Sequence, residues 1–392
     1  MSGAIEHGRS SRFKSRGYLS DAAENRRANL LKRQQESRQN ISEALRCLQK
    51  PPPPGRQLSK FRPWRRPPLS SPEWMNYPPT RLGSDWAVAA KCEGKRCVVV
   101  AAHGATTIRT RSGRYPRKGG PFTSCLPGGF ESKGGKVGTT VLDCIFAPSE
   151  PNVLRALDVM VWNDHMLYDC DFQFRYFWLR GRLVEIGADR DCPVKFTAVE
   201  FSTATDKAVA EAYEYAKSMP RADGLLFYHW QVHYVLGPTP LILQWKDGNC
   251  SEYFLEGGQE TESQGSPSDE MLDVPDLYTV LLCGSEGMLL TSDVPPVVVS
   301  RAEALSTDGS LVASEGDLLR FRILNPAQLC NVRESEVSRV AQLKSAGKAS
   351  LVRTLPDSWS RILFQCRGRH NPLTVDDVLG SIRSEIRDQV MA

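Results

Sequence analysis

Three basic side chains stand within six residues in the string 91–96, where Lys91, Lys95 and Arg96 flank Glu93 and Gly94. A lysine amine becomes a nucleophile towards phosphorus when burial or neighbouring cations lower its pKa. Lys91 is followed closely by two such cations. The spacing therefore makes Lys91 a candidate for covalent attack on a phosphate.

Other residue types that do chemistry are scattered. The eleven cysteines include no CxxC pair, and an odd number of single cysteines indicates reduced thiols rather than a disulfide framework. His229 and His233 share one face of a strand-like aromatic stretch, without the geometry of a helical zinc motif. We therefore expect no metal site and no cofactor.

Charge is distributed unevenly along the chain. Residues 1–70 carry 16 Lys and Arg against 5 Asp and Glu, whereas residues 71–392 carry 34 against 40. The first segment thus has a balance of +11 and the remainder a balance of −6. No apolar run approaches the roughly 18 residues that a membrane span needs, so no membrane partner is expected.

The basic start predicts an arm that is separate from the globular part. A helix is expected within residues 8–50, with Asp21 and Glu24 as its N-terminal capping box. Its apolar residues are too sparse to bury a core, so we expect it to order only against a partner. Prolines from Pro51 to Pro72 break any helix and predict an extended linker over 51–71.

The remaining pattern predicts an α+β fold built on antiparallel sheets. Short β-rich runs predict strands at 97–102, 141–146, 154–161, 172–178, 225–228, 241–245, 277–283 and 297–299. Helices are expected at 203–219 and after Thr374, which with Asp377 forms a cap. The domains expected are an arm (1–50), the linker (51–71), a binding domain (72–255), a flexible acidic loop (256–272) and a C-terminal extension (273–392).

The arm resembles the importin-β-binding segment of the snurportin family. The likeness covers residues 9–46, in which 12–16 stand for the basic extended start and 24–33 for the helix. It implies that importin-β is a partner and that the contacts come from seven cations, which are Arg12, Lys14, Arg16, Arg26, Arg27, Lys32 and Arg33. A polybasic segment suits a long acidic groove, and its binding should weaken with salt.

Residues 72–246 resemble the cap-binding domain of the same family, through many short strings in the right order. Among them are Gly94-Lys95-Arg96-Cys97, Leu126-Pro127-Gly128-Gly129, Leu142-Asp143-Cys144-Ile145 and Asp223-Gly224-Leu225-Leu226. The likeness implies the fold of the mRNA capping enzyme guanylyltransferase domain. It also implies binding of the trimethylguanosine cap of small nuclear RNA in its ribonucleoprotein.

The same resemblance assigns the cap-binding residues. A methylated guanine is a cationic, electron-poor ring, which an aromatic face holds best. The family's stacking tryptophan corresponds to Trp245, with Trp74 as a second aromatic, while Lys95, Arg96 and Arg111 correspond to residues near the triphosphate. Gly94 and Lys91 complete the expected site.

Three departures from the family pattern stand out. Pro72 replaces a serine that contacts the cap, and Lys91 replaces a cysteine and adds a charge at the pocket. The start of the chain before Arg9 is short and polar, without the hydrophobic peptide of the family that an exportin recognises. An exportin is therefore only a conditional partner.

The alternative is an active covalent nucleotidyltransferase of the RNA guanylyltransferase or ligase type, because 91–96 also reads as its K-x-E-G-x-R motif with Lys91 as nucleophile. One observation argues against this alternative. Such enzymes carry a D-G-E string whose glutamate helps to bind the metal and the ribose, and in the matching stretch of this chain Ile145 stands at the position of that glutamate. Metal and leaving pyrophosphate would then be poorly stabilised. We therefore expect a non-enzymatic import adaptor that shuttles between cytoplasm and nucleus.

Overall fold

The computed structural model describes residues 8–34, 69–110, 120–130, 138–189, 192–219, 221–251, 254, 276–301, 314–350, 353 and 355–391. The chain forms two compact units. We call them the central unit, which is Arg27–Pro72 with Arg81–Gln244, and the C-terminal unit, which is Met1–Arg26, Glu73–Thr80 and Trp245–Ala392.

The helices alternate irregularly with the strands. In chain order they are α1 (Gly8–Arg33), α2 (Leu82–Asp85), α3 (Phe172–Asp189), α4 (Asp206–Ser218), α5 (Pro326–Leu329), α6 (Val337–Val340), α7 (Trp359–His370) and α8 (Val375–Met391). Of the helices in the described ranges, none combines the length and the apolarity that crossing a membrane requires.

The strands fall into three sheets. In chain order they are β1 (Ser70–Trp74), β2 (Trp86–Cys92), β3 (Lys95–Ala102), β4 (Ala105–Thr110), β5 (Thr140–Phe146), β6 (Val153–Trp162), β7 (His165–Met166), β8 (Lys195–Ala198), β9 (Ser202–Thr203), β10 (Ala222–His229), β11 (Gly237–Trp245), β12 (Leu277–Cys283), β13 (Met288–Leu290), β14 (Val298–Arg301), β15 (Leu318–Ile323) and β16 (Leu343–Lys348).

The central unit is built on two of these sheets. One has the order β1-β11-β10-β2-β9, and the other has the order β4-β3-β5-β6-β7, with β8 added parallel to β6. Every residue of β5 is buried, because apolar clusters cover both of its faces. The antiparallel α+β class predicted from the sequence is therefore confirmed, while the specific likeness to a guanylyltransferase domain stays a prediction.

The C-terminal unit has a five-stranded antiparallel sheet in the order β14-β13-β12-β15-β16. Its core joins Leu281 and Phe321 of the sheet to Trp359, Leu363 and Cys366 of α7. Ser358 caps α7 by accepting a hydrogen bond from the Arg361 amide at 3.3 Å. Thr374 caps α8 in the same way, as predicted.

Most predicted elements are confirmed, but residues 172–178 are a helix rather than a strand. Phe172, Tyr176, Leu179 and Leu183 of α3 are all buried, so the apolar residues follow a helical spacing instead of an alternation of two. The aromatic content of this stretch favoured a strand, and the packing overrode it. The expected linker up to residue 68 and the expected acidic loop lie outside the described residues.

The arm also differs from its prediction. Helix α1 begins at Gly8, so Asp21 and Glu24 lie inside it and are not its N-terminal cap, and residues 12–16 are helical rather than extended. In the central unit, Leu30 and Leu31 pack against an apolar cluster that includes Leu226 and Leu241. The chain's own domain thus supplies the surface that we expected from a partner.

Candidate nucleic-acid site

Trp74 and Trp245 end β1 and β11, which are neighbours in one sheet, and both residues belong to the C-terminal unit. Trp74 is half-buried. Its ring centroid lies 4.6 Å from that of Phe364 in α7, with 39° between the planes, and 5.3 Å from the Lys246 ammonium. Trp74 therefore already contacts an aromatic ring and a cation. A methylated guanine combines both features, because it is an aromatic ring that carries a positive charge.

Trp245 is only 1% exposed, and its indole N–H donates a hydrogen bond to the Leu373 carbonyl at 3.0 Å. Nearby, Phe254, Phe364 and Leu373 help line a cavity of about 10 Å³. Such a volume admits a water molecule and is far too small for a purine. A base can reach Trp245 only if the segment around Leu373 moves.

Lys91 and Lys95 lie in the central unit, at the two ends of the turn between β2 and β3. The Lys91 ammonium is paired with the Asp223 carboxylate, and both side chains are about one-fifth exposed. Lys95 is exposed, and its ammonium has no carboxylate within 4.0 Å among the described residues. Lys95 is therefore available to a phosphate, whereas Lys91 is engaged.

Gly94 has a packing role in this turn. A Cβ placed at position 94 would lie 2.6 Å from the Ile145 side chain and 2.8 Å from the Phe146 carbonyl oxygen. Contacts below 3.0 Å are repulsive, so the turn can lie against the end of β5 only without a side chain. This close approach explains the glycine independently of any ligand.

Arg96 is held inside the central unit rather than presented to solvent. Its guanidinium makes a bidentate ion pair with Asp143, at 2.9 and 2.7 Å, and also contacts the Ser70 hydroxyl at 2.9 Å and the Tyr228 hydroxyl at 3.2 Å. The Tyr234 hydroxyl donates to the same carboxylate at 2.6 Å. A triphosphate would have to compete with Asp143 for Arg96, which differs from the role expected.

A second buried ion pair was not predicted from the sequence. Arg175 of α3 pairs with Asp158 of β6 at 2.8 Å, and it also donates to the Val232 carbonyl at 2.8 Å. Burial raises the pKa of Asp158, while the neighbouring guanidinium opposes the shift. The signal in the sequence is an aspartate set within an apolar strand, which needs a cationic partner when buried.

The described cations of the arm are used in two ways. Arg26 pairs with Glu73 at 3.2 Å and Glu334 at 3.7 Å within the C-terminal unit. In the central unit, Arg27 is 8% exposed, donates to the Pro240 carbonyl and lies over the Trp86 ring. Lys32 and Arg33 are exposed. The side chains of Arg12, Lys14 and Arg16, and the whole of Arg111, lie outside the described part.

One protein-family model matches part of the chain. Residues 69–246 match the family model described as Snurportin1, m3G cap-binding domain. This match supports a likeness to the snurportin family over these residues.

Among solved structures, similar chains include a Lig E DNA ligase (16% identity, 65% of this chain and 91% of that chain, TM-score 0.31). Another is a mycobacterial DNA ligase D complexed with ATP and MES (16% identity, 65% and 88%, TM-score 0.32). At these TM-scores the likeness supports no statement about activity.

Proposed function

We propose that this protein is a non-enzymatic nuclear import adaptor, which binds the trimethylguanosine cap of small nuclear RNA and links the ribonucleoprotein to importin-β. The observation that carries the proposal is the match of residues 69–246 to the Snurportin1 m3G cap-binding domain. The adaptor role further requires a receptor-binding arm, which the basic balance of residues 1–70 supports.

The cap base is proposed to stack on a tryptophan of the C-terminal unit. A cationic methylated guanine can replace the Lys246 ammonium against Trp74, because both are attracted by the ring's electron-rich face. Stacking on Trp245 requires displacement of the Leu373 segment. Trp74 is therefore the ring that a ligand reaches with less rearrangement.

Among the central-unit cations that the family resemblance assigns to the phosphates, we propose Lys95 as the one available for binding. Its ammonium is exposed, whereas Arg96 and Lys91 are paired with Asp143 and Asp223. Arg111 keeps the role that the family resemblance gives it, and it lies outside the described residues. Lys91 would contribute only if a phosphate displaced the Asp223 carboxylate.

Binding without catalysis is favoured over nucleotidyl transfer by two observations. An ammonium held by the Asp223 carboxylate has no free lone pair for attack on a phosphate. Ile145, at the position where transferases carry a metal-binding glutamate, is 2% exposed in an apolar cluster, and Asp143, two residues before it, is paired with Arg96. A transferase needs a free lysine nucleophile and a metal-binding carboxylate, and the structure gives little support for either.

The proposal is tested by retention of the full-length chain on a trimethylguanosine cap resin. We expect Trp74→Ala to weaken binding by at least about fivefold, since stacking of one base is worth about 1–3 kcal/mol. Trp245→Ala should also lose retention, and Trp245→Phe, which keeps an aromatic face, should restore part of it. The control is Trp178→Ala, which removes a partly buried tryptophan of α3. Wild-type retention by Trp74→Ala and Trp245→Ala would refute the assignment.

Incubation with labelled GTP or ATP and a divalent metal separates the adaptor from the transferase. The adaptor forms no covalent adduct. A labelled adduct that disappears in Lys91→Ala would instead show that Lys91 is a nucleophile.

A further inference from the structure

One face of the C-terminal sheet is cationic. The sequence of β15 alternates strictly, with Leu319, Phe321 and Ile323 buried in the core and Arg320 and Arg322 exposed on the other side. An alternation of this kind sends successive side chains to opposite faces of a sheet. The two arginines therefore share the outer face.

Strand register brings further side chains to the same face. Tyr278 of β12 stands directly opposite Arg322, and Lys344 of β16 stands opposite Arg322 on its other side. The Arg320 guanidinium lies 4.1 Å from the centroid of the Tyr278 ring. We call Tyr278, Arg320, Arg322 and Lys344 the outer basic face.

The charge of this face is only partly neutralised. Arg322 pairs with Asp276 at 2.6 Å, and both side chains are about two-fifths exposed. Arg320 and Lys344 have no carboxylate within 4.0 Å among the residues that the structure describes. Because residues 71–392 carry a net charge of −6, two uncompensated cations beside the half-buried Tyr278 ring stand out from an acidic background.

The chemistry of the face selects its ligand. Single-stranded nucleic acids bind where cations follow the phosphate backbone and an aromatic ring or an arginine plane receives a base. If the strands of this sheet are counted from β12, they lie side by side in the order third, second, first, fourth and fifth. Five-stranded OB modules, which bind oligonucleotides, have the same strand order. Those modules mostly use strands two and three, but here β13 turns the uncharged Met288 and Leu290 outward, and β14 adds one exposed cation, Arg301, opposite Met288. Charge therefore favours the outer basic face.

We propose that the outer basic face binds single-stranded RNA. A base stacks on the Tyr278–Arg320 pair, and the flanking phosphates contact Arg322 and Lys344. This binding is independent of the proposed cap recognition, because it needs neither a cap nor the tryptophans Trp74 and Trp245. In a capped RNA, the outer basic face would bind nucleotides of the RNA strand rather than the cap.

The test is the fluorescence anisotropy of a labelled, uncapped oligouridylate titrated with the full-length protein at several salt concentrations. Arg320→Ser/Lys344→Ser should weaken binding by about tenfold and reduce the slope of log K against log salt by about 0.7, because Lys344 provides one phosphate contact whereas Arg320 contributes to stacking. The matched control is Lys195→Ser/Lys207→Ser, which removes two exposed lysines of the central unit. It should leave affinity and slope unchanged.

A second pair of variants tests stacking without changing charge. Tyr278→Ala should weaken binding by about tenfold and Tyr278→Phe by less than about twofold, since a ring alone receives the base. Circular dichroism establishes that each variant is folded.

Equal losses in the lysine control, or wild-type binding by Arg320→Ser/Lys344→Ser, would overturn the proposal. Displacement of the RNA by oligoglutamate at equal potency would also overturn it, because the ligand would then be an acidic polypeptide. Cap affinity, measured in the same variants, should not change, so failure of the cap proposal is seen separately.

Discussion

Two aspartates face each other across neighbouring strands of the central unit, and each has its own arginine. Asp143 of β5 stands opposite Asp158 of β6, and both side chains are almost fully buried. Two adjacent buried carboxylates repel each other and are poorly solvated, so each needs a cation. Arg96 supplies one cation from β3 of the same sheet, and Arg175 supplies the other from α3, which this pair ties to the sheet.

Loss of one aspartate should therefore destabilise the fold strongly. Asp143→Asn leaves the Arg96 charge without its partner in a buried site, and we expect the free energy of unfolding to fall by about 3–5 kcal/mol. Urea denaturation followed by circular dichroism measures the change. As a control, Glu150→Gln breaks an exposed pair with Arg155 and should cost no more than about 1 kcal/mol. Similar losses in both variants would contradict the structural role of Arg96.

His233 should make stability depend on pH. Burial, and then the nearby Arg175, lower the pKa of its imidazole from the ordinary 6.5. The unfolded chain therefore takes up a proton near pH 6.5 while the folded protein resists it, so stability falls as the pH drops below 6.5. The melting temperature of wild type should decline more steeply between neutral pH and pH 5 than that of His233→Gln. Parallel curves would show that another group is responsible.

Among the elements, strands were the more predictable. The buried runs at 141–146 and 277–283 coincide with β5 and β12, because continuous or alternating apolar residues leave few other structures. Helix α3 was missed because its first residues are aromatic, while its helical spacing shows only over the longer span to Leu183. The start of α1 was missed because capping residues also occur inside helices.

Helix α1 presents different cations to its own chain and to solvent. Arg26 and Arg27 are used within the fold, whereas Lys32 and Arg33 are exposed. We therefore expect Lys32→Glu/Arg33→Glu to weaken capture by importin-β by about tenfold, through reversed charge against an acidic groove. The control is Lys195→Glu/Lys207→Glu, and capture at wild-type level by the α1 variant would contradict the receptor-binding role of these residues.

At the scale of the molecule, the sequence names candidate binding residues but does not show which of their side chains are free to contact a ligand. The family resemblance assigned Trp245 and Arg96 to a cap site, which stays a prediction, but the sequence could not show that Leu373 covers Trp245 or that Asp143 binds Arg96. Both contacts join residues that are distant in the chain, and only tertiary packing brings them together. The availability of a charge or a ring to a ligand is therefore a property of the fold.

The two halves of the proposed adaptor differ in electrostatics. Residues 1–70 carry a balance of +11 and the remainder −6, so binding of an acidic receptor should depend steeply on salt. Stacking of a cap base is short-ranged, so the affinity for the cap should depend less on salt concentration. Salt titration can thus separate the two partners in one preparation.

The most direct test of the central claim is the calorimetric affinity of the full-length protein for three cap analogues, with trimethylated, monomethylated and unmethylated guanine. We predict that the trimethylated analogue binds about tenfold more tightly than the unmethylated one, because a cationic base gains about 1.4 kcal/mol against an aromatic face. Trp74→Ala should remove most of this difference. Equal affinities for the trimethylated and unmethylated analogues would contradict the account.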